Sequence, residues 1–188
     1  GVVLGLGLGG SEVNAPPEPF AGVFAEARRH GLKSLPHAGE SAGPASVWGA
    51  IRDLGADRIG HGVRAVEDDR LLRELAERQI PLEVCPTSNV YLNFIPRIED
   101  HPLPALDQAG VLVTVNTDDP KLIGATLSAE YRLLVDVFGY SVAGVIRLAR
   151  NAFMACCAEP ALKARLLGEF DAWTARVGSP PGEVISWT

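Results

Sequence analysis

Residues 32–62, LKSLPHAGESAGPASVWGAIRDLGADRIGHG, decide the fold class of this chain. A strand candidate at 32–37 is followed by a helical pattern at 41–54 that closes on Gly55, and then by a second strand candidate, the short apolar-polar run at 57–61. A strand, a helix and another strand in this order are typical of a βαβ unit, in which the two strands are parallel.

The same alternation extends on both sides of this segment. The strand candidates of the whole chain are residues 2–8, 32–37, 57–61, 80–85 and 111–115. They are mostly apolar runs, as expected for parallel strands covered on both faces. From about residue 128 the pattern is purely helical. The sequence therefore predicts an α/β protein built on a parallel sheet and ending in C-terminal helices.

Composition and charge exclude several classes of protein. The 188 residues carry 17 basic and 23 acidic side chains, a net charge of −6, and 47% of them are hydrophobic. This balance argues for a globular protein that binds neither nucleic acid nor a membrane, since both partners select for clustered Lys and Arg. The three cysteines form no C-x-x-C pair, which favours a reducing, cytoplasmic setting.

Four side chains that can take part in catalysis or binding close successive strand candidates. They are His37, His61, Cys85 and Asp118. The carboxyl ends of parallel strands lie on one face of an α/β fold, where active sites assemble from successive loops. We therefore expect these residues to meet at one pocket, with Cys85 as a buried thiol rather than a nucleophile.

Two of these strand ends carry histidine motifs. In His-Ala-Gly-Glu (37–40) an imidazole and a carboxylate are separated by two residues small enough to let a substrate approach. In Arg-Ile-Gly-His-Gly (58–62) the glycines either clear space for a ligand or adopt unusual backbone angles. Each motif alone fits a structural role equally well, as a hydrogen-bonded histidine or as a turn.

Residues 116–120, Asn-Thr-Asp-Asp-Pro, place two adjacent carboxylates at the mouth of a buried strand. Two such charges repel and lose solvation unless a cation or hydrogen-bond donors compensate them. A divalent metal would do so, and zinc accepts imidazole and carboxylate ligands. The alternative is an Asx turn with a helix cap before Pro120.

Three further features are better explained by a structural role or by contact with a ligand than by catalysis. Residues 5–10 match G-x-G-x-x-G, but the following residues do not open a helix that could hold a pyrophosphate. The glycines are better explained by close approach of a flat ligand to the backbone N–H near Gly10. His30 and His101 are predicted to be surface or capping residues.

Taken in order, the glycine-rich run, His-Ala-Gly-Glu, Arg-Ile-Gly-His-Gly, Cys-Pro-Thr-Ser-Asn (85–89) and Asn-Thr-Asp-Asp-Pro resemble the adenosine deaminase family of zinc hydrolases from residue 2 to about 155. The resemblance implies a (β/α)8 TIM-type barrel. Residues 1–188 would be the C-terminal portion of that single domain, supplying about its last five βα units and C-terminal helices from about 128.

The resemblance also assigns roles to the motif residues. His37 and Asp118 would be ligands of one zinc ion, and Asp118 would count among the catalytic residues as well. Glu40 would protonate N1 of the purine, and His61 would orient the attacking water and help to deprotonate it.

The same resemblance implies how a substrate is bound and converted. Asp119 would engage N7 of the purine, and Gly10 would offer its backbone amide to N3. The reaction would convert an adenine-containing compound to the 6-oxopurine and ammonia. Adenosine, adenine and aminodeoxyfutalosine all remain open as this small-molecule substrate.

The chain departs from the family at one point, since the His-x-His pair that supplies two further zinc ligands does not occur in it. It also opens inside a strand candidate without a methionine. We therefore expect a missing N-terminal barrel segment to complete the site, and expect these residues alone neither to hold zinc tightly nor to deaminate. The alternatives are another metal-dependent hydrolase on the same barrel and a catalytically incomplete remnant.

Overall fold

The computed structural model describes residues 3–177, so that Val2, in the first strand candidate, and residues 178–188 lie outside the described part. Five parallel strands pair in sequence order. They are β1 (Gly5–Leu8), β2 (Lys33–Ala38), β3 (Ile59–His61), β4 (Leu82–Val84) and β5 (Val113–Val115). Each lies within or overlaps a predicted strand, which confirms the parallel α/β class.

Helices connect the strands and follow the last of them. The α-helices are α1 (Ala21–Arg29), α2 (Pro44–Arg52), α3 (Asp69–Arg78), α4 (Pro86–Tyr91), α5 (Leu103–Gln108), α6 (Pro120–Ile123), α7 (Leu127–Asp136), α8 (Val142–Ala155) and α9 (Pro160–Val177). The best defined start is that of α3, where the Asp68 carboxylate accepts hydrogen bonds from the backbone N–H groups of Arg70 and Leu71. Such a cap satisfies donors that the first helical turn leaves unpaired.

The core lies between the sheet and the helices that cover it. Side chains from α2, α3 and α5 pack with the buried faces of β3, β4 and β5 into one cluster. Ile59, Leu82 and Val113, one from each of these strands, are fully buried in it. Burial of this apolar surface stabilises the sheet and fixes where each strand ends.

One helix start differs from its prediction. The sequence predicts that Asp100 caps a short helix with Pro102 just inside it. In the structure Asp100 instead ends a short 3₁₀ helix, Ile98–Asp100. Helix α5 instead begins after Pro102, which provides no side-chain cap. The intervening residue, His101, is buried and supplies the missing acceptor, since its Nδ1 accepts the Leu103 N–H at 3.1 Å.

No helix within residues 3–177 is both long and apolar enough to cross a membrane.

Candidate active site

A cavity of about 440 Å³ opens at the carboxyl ends of the strands. Its lining includes His37 near the end of β2, His61 at the end of β3, Cys85 after β4 and Asp118 after β5. Four residues spread over 82 positions of sequence thus meet at one mouth, as the rule for parallel strands predicts.

The glycines beside His61 leave room for other side chains to pack. Gly60 is the cross-strand neighbour of His37, and a Cβ on Gly60 would lie 2.6 Å from the His37 Cδ2 atom. The two imidazoles consequently lie edge to face, with their centroids 4.8 Å apart. Gly62 has a φ of +68°, and a Cβ there would lie 2.6 Å from Leu82. The unusual backbone angle predicted for these glycines is found at Gly62, whereas the space beside Gly60 is filled by the His37 ring.

The interpretation of Ala38 and Gly39 as an opening for substrate is wrong. Ala38 is fully buried in the core. Gly39 has a φ of +73°, and a Cβ there would collide with Val47 of α2. Both residues are small because the chain turns tightly over α2 at this point.

A buried carboxylate that the sequence did not single out holds the turn carrying Glu40. Glu12 is 7% exposed and accepts four hydrogen bonds. They come from the backbone N–H groups of Gly39 (2.6 Å), Glu40 (2.9 Å) and Ser41 (3.0 Å) and from the Ser46 hydroxyl (2.5 Å). Hydrogen bonds to a charged acceptor are among the stronger ones in proteins, so Glu12 fixes the backbone from which Glu40 projects.

The Glu40 carboxyl lies where its protonated form is favoured. Burial, followed by the charges of Asp118 and Glu12, raises its pKa to about 7. One of its oxygens lies 3.2 Å from the His61 Nδ1 and 3.2 Å from the Asn89 Nδ2 atom, which donates to it. At neutral pH both protonation states are populated, which is the condition for a group that gives and takes a proton.

His61 and Asp118 share an unusual backbone conformation, with φ values of +64° and +59°. Non-glycine residues in this region cost on the order of 1–3 kcal/mol each and are found preferentially at functional sites. Burial, followed by the neighbouring His37, lowers the pKa of His61 to about 4. The Asp118 carboxylate accepts a hydrogen bond from the Ser88 hydroxyl at 2.6 Å.

The two predicted substrate contacts are both exposed. Asp119 precedes α6 and makes no capping hydrogen bond with its side chain, so the helix-cap alternative for this carboxylate is not supported. Gly10 has a φ of +111° and lies with Glu12 and His37 around a smaller cavity of about 70 Å³. The first α-helix after it begins only at Ala21, which agrees with setting aside a dinucleotide site.

The donor set at this mouth fits a zinc ion. Potential ligand atoms of His37, Glu40 and His61 all lie within 4.8 Å of one another. Asp118 lines the same cavity as the two histidines but is not part of that close group. Imidazole nitrogen and carboxylate oxygen are the ligand types of catalytic zinc sites, which keep one position open.

Cys85 behaves as predicted for a buried thiol. Its sulfur donates to the Glu83 carbonyl oxygen at 3.4 Å, and burial raises the pKa of the thiol. A thiol that resists ionisation is a poor nucleophile.

Sequence reasoning missed part of this site. Glu12 and Ser88 lie just beyond the ends of β1 and β4, so the strand-end rule could have found both. Asn89, in the same motif as Ser88, is fully buried at the site, although the motif alone predicts no role for it. The expectation for His101 is wrong in part, because this residue is only 3% exposed, although it does cap α5.

The contact between Gly60 and His37 leads to a stability prediction. We expect Gly60→Ala to lower the free energy of unfolding by about 1–3 kcal/mol, because the added methyl overlaps the His37 ring, which is itself packed on His61. Gly22→Ala in α1 is the control, since a Cβ there meets nothing within 4 Å, and it should raise stability by up to about 1 kcal/mol. Urea unfolding of both variants checks this, and equal stability of Gly60→Ala and the unchanged protein would contradict the packing argument.

The profile of the adenosine deaminase family matches residues 1–173. The chain belongs to the adenosine deaminase family. Among curated members, the aminodeoxyfutalosine deaminase of Streptomyces avermitilis is 43% identical over 173 residues, which are 92% of this chain and 48% of that protein. The chain thus spans about half the length of the curated relatives it matches.

Solved structures of adenosine deaminase family relatives agree with the fold. The adenine deaminase of Arthrobacter aurescens superposes with a TM-score of 0.87 at 37% identity, over 91% of this chain and 52% of that one. An amidohydrolase from Burkholderia ambifaria with bound Zn gives 0.85 at 28% identity, over 95% and 51%. The five-stranded sheet is therefore part of a TIM-type barrel, which confirms the predicted architecture.

Proposed function

We propose that this chain carries the C-terminal part of a zinc-dependent active site that hydrolyses the amino group from an adenine-type compound, yielding the 6-oxopurine and ammonia. The observation that carries the proposal is the meeting of His37, His61 and Asp118 at one cavity, with the partly buried Glu40 beside His61. In this proposal residues 1–188 form the C-terminal portion of a single barrel domain, and the rest of the barrel completes the site.

Two residues of this chain would hold the metal. His37 and Asp118 supply one imidazole and one carboxylate from the lining of the same cavity, and further ligands would come from the remainder of the barrel. When bound, zinc supplies Lewis acidity and lowers the pKa of water so that it attacks as a nucleophile at neutral pH. Placement of Asp118 beside this cation would also relieve its repulsion with Asp119.

The other site residues would handle protons and orient the purine. Glu40, with its pKa raised to about 7, can give a proton to N1 at neutral pH and take one from the attacking water. His61 would hydrogen-bond that water and help to deprotonate it. Asp119, free of a capping role, would engage N7, and the Gly10 amide would face N3.

The substrate class follows from the relatives, which are named for deamination of adenine and of aminodeoxyfutalosine. We propose a small-molecule purine substrate in the cytoplasm. Selection among adenine, adenosine and aminodeoxyfutalosine would involve the segment 91–96, in which Tyr91, Leu92 and Phe94 expose apolar side chains just beyond Asn89. These exposed side chains would favour contact with the group that the purine carries at N9.

The test is metal removal from the full-length protein that contains this chain. Ammonia release from adenine, adenosine and aminodeoxyfutalosine is measured before chelation, after chelation and after addition of zinc. We expect turnover of at least one of the three, its loss on chelation and its return with zinc.

Three results would contradict the proposal. Turnover that survives complete removal of the metal excludes the zinc mechanism. Absence of turnover on all three purines, in protein that binds one zinc per chain, favours another metal-dependent hydrolase, and absence of both zinc and turnover favours a catalytically incomplete remnant.

A further inference from the structure

A chain of buried hydrogen bonds leads away from the candidate active site through Asn89. The Nδ2 atom of Asn89 lies 3.2 Å from the Glu40 Oε1 and 3.3 Å from the His61 Nδ1. The Oδ1 atom of the same amide lies 3.2 Å from the Nε2 of His101. The other ring nitrogen of His101, Nδ1, accepts the backbone N–H of Leu103 at 3.1 Å.

The partners of His101 fix the direction of this chain. The Leu103 N–H can only donate, so the Nδ1 of His101 must be the acceptor, and in a neutral ring the proton is then on Nε2. That N–H donates to the Oδ1 of Asn89. The amide nitrogen of Asn89 is thereby turned towards Glu40 and His61.

The reverse orientation of the amide would be unfavourable at both ends. The amide nitrogen of Asn89 would face the Nε2–H of His101, a donor facing a donor, and the Oδ1 would face the ionised form of Glu40, an acceptor facing an acceptor. Because Asn89 and His101 are almost completely buried, water cannot relieve either conflict.

We propose that His101 is a positioning residue, which acts through Asn89 to hold an N–H donor against Glu40 and beside His61. His101 does not touch the cavity, and no motif in the sequence marks it. Its effect on turnover rests on the proposed function, whereas its effect on the Asn89 amide and the His61 ring does not.

The surroundings of His101 support a neutral ring at working pH. Its imidazole packs against the Phe138 ring with centroids 6.0 Å apart, and burial lowers its pKa to about 4. A neutral ring with one assigned proton is what the direction of the chain requires.

The first experiment measures the ring nitrogens of the four histidines of this chain by NMR on full-length protein labelled with ¹⁵N-histidine, without substrate. We expect His101 at neutral pH to be the tautomer with its proton on Nε2, and expect His101→Phe to shift the His61 nitrogens. The exposed His30→Gln is the control and should leave the His61 signals unchanged. A His101 proton on Nδ1, or a charged ring at neutral pH, overturns the proposal whatever the activity.

The second experiment separates positioning from stability in steady-state kinetics. We expect His101→Phe to lower kcat on the order of 10–100-fold, the range seen when residues behind metal ligands are removed, with KM and zinc content little changed. His101→Gln, whose amide can both accept and donate, should recover part of this loss, and His30→Gln should match the unchanged protein. Unaltered kcat in folded His101→Phe rejects the proposal.

The two experiments also keep this proposal distinct from the proposed function. If the protein deaminates none of the tested purines, the proposed function fails. The His101 tautomer and the response of the His61 signals still decide whether His101 orients Asn89 through the hydrogen-bond chain. If His101→Phe does not fold, the tautomer of His101 in the unchanged protein still decides the proposal, since a proton on Nδ1 or a charged ring at neutral pH overturns it.

Discussion

Glu40→Gln is expected to lower turnover on the order of 10²–10⁴-fold while leaving substrate binding within a few fold. The reason is that a Gln amide keeps the size of Glu40 and still accepts the hydrogen bond from Asn89, but has no proton to exchange with the purine or the water. Turnover is measured by ammonia release, and binding by titration with the 6-oxopurine product.

The control for Glu40→Gln is the same substitution at an exposed site. Glu99 lies in the 3₁₀ helix Ile98–Asp100 and pairs only with Arg97 in the contacts of the described chain, so Glu99→Gln should leave turnover unchanged. If Glu40→Gln retained the turnover of the unchanged protein, the assignment of Glu40 as the proton shuttle would be wrong.

Glu12→Ala is expected to have the largest effect on stability, a loss of about 3–5 kcal/mol in the free energy of unfolding. It removes the common acceptor of three backbone N–H groups and one hydroxyl, in a place where a buried donor without a partner costs about 1–3 kcal/mol. Urea unfolding measures this loss. Glu12→Gln, which keeps one of the two oxygens, should lie between Glu12→Ala and the unchanged protein.

The comparison for Glu12 is a glutamate that forms an ion pair at the surface. Glu67 receives two hydrogen bonds from Arg64, yet both side chains are exposed, and such pairs contribute about 0–1 kcal/mol. A loss at Glu12 no larger than that of Glu67→Ala would show that the turn at residues 39–41 holds its conformation without the carboxylate.

Local patterns were enough to place the elements of the fold. Strand candidates at 32–37 and 80–85 overlap the observed Lys33–Ala38 and Leu82–Val84, and the helical pattern at 41–54 contains Pro44–Arg52. These predictions succeed because apolar periodicity and glycine stops act within a few residues. The helix Leu103–Gln108 shows the limit of such local signals. They predict Asp100 as its cap, whereas the observed cap is the buried His101.

The residues of the candidate site also fall into two groups, those that local patterns predict and those whose roles depend on partners distant in sequence. The strand-end rule was sufficient to bring His37, His61 and Asp118 to one mouth, because it depends only on the strands being parallel. The roles of Glu12 and Asn89 depend on which backbone amides and rings lie opposite them, and those partners are 27–34 and 12–49 residues away in sequence.

The sequence by itself determined that this chain alternates strands with helices, that its polar residues follow strand ends, and that it resembles one family of hydrolases. Tertiary structure decided that Gly60 makes room for the ring of His37, that Glu12 fixes the turn below Glu40, and that His101 orients Asn89. The physical reason is range: hydrophobic periodicity and turn chemistry are local, whereas a hydrogen bond or a ring contact is set by strand register and by how helices pack on the sheet.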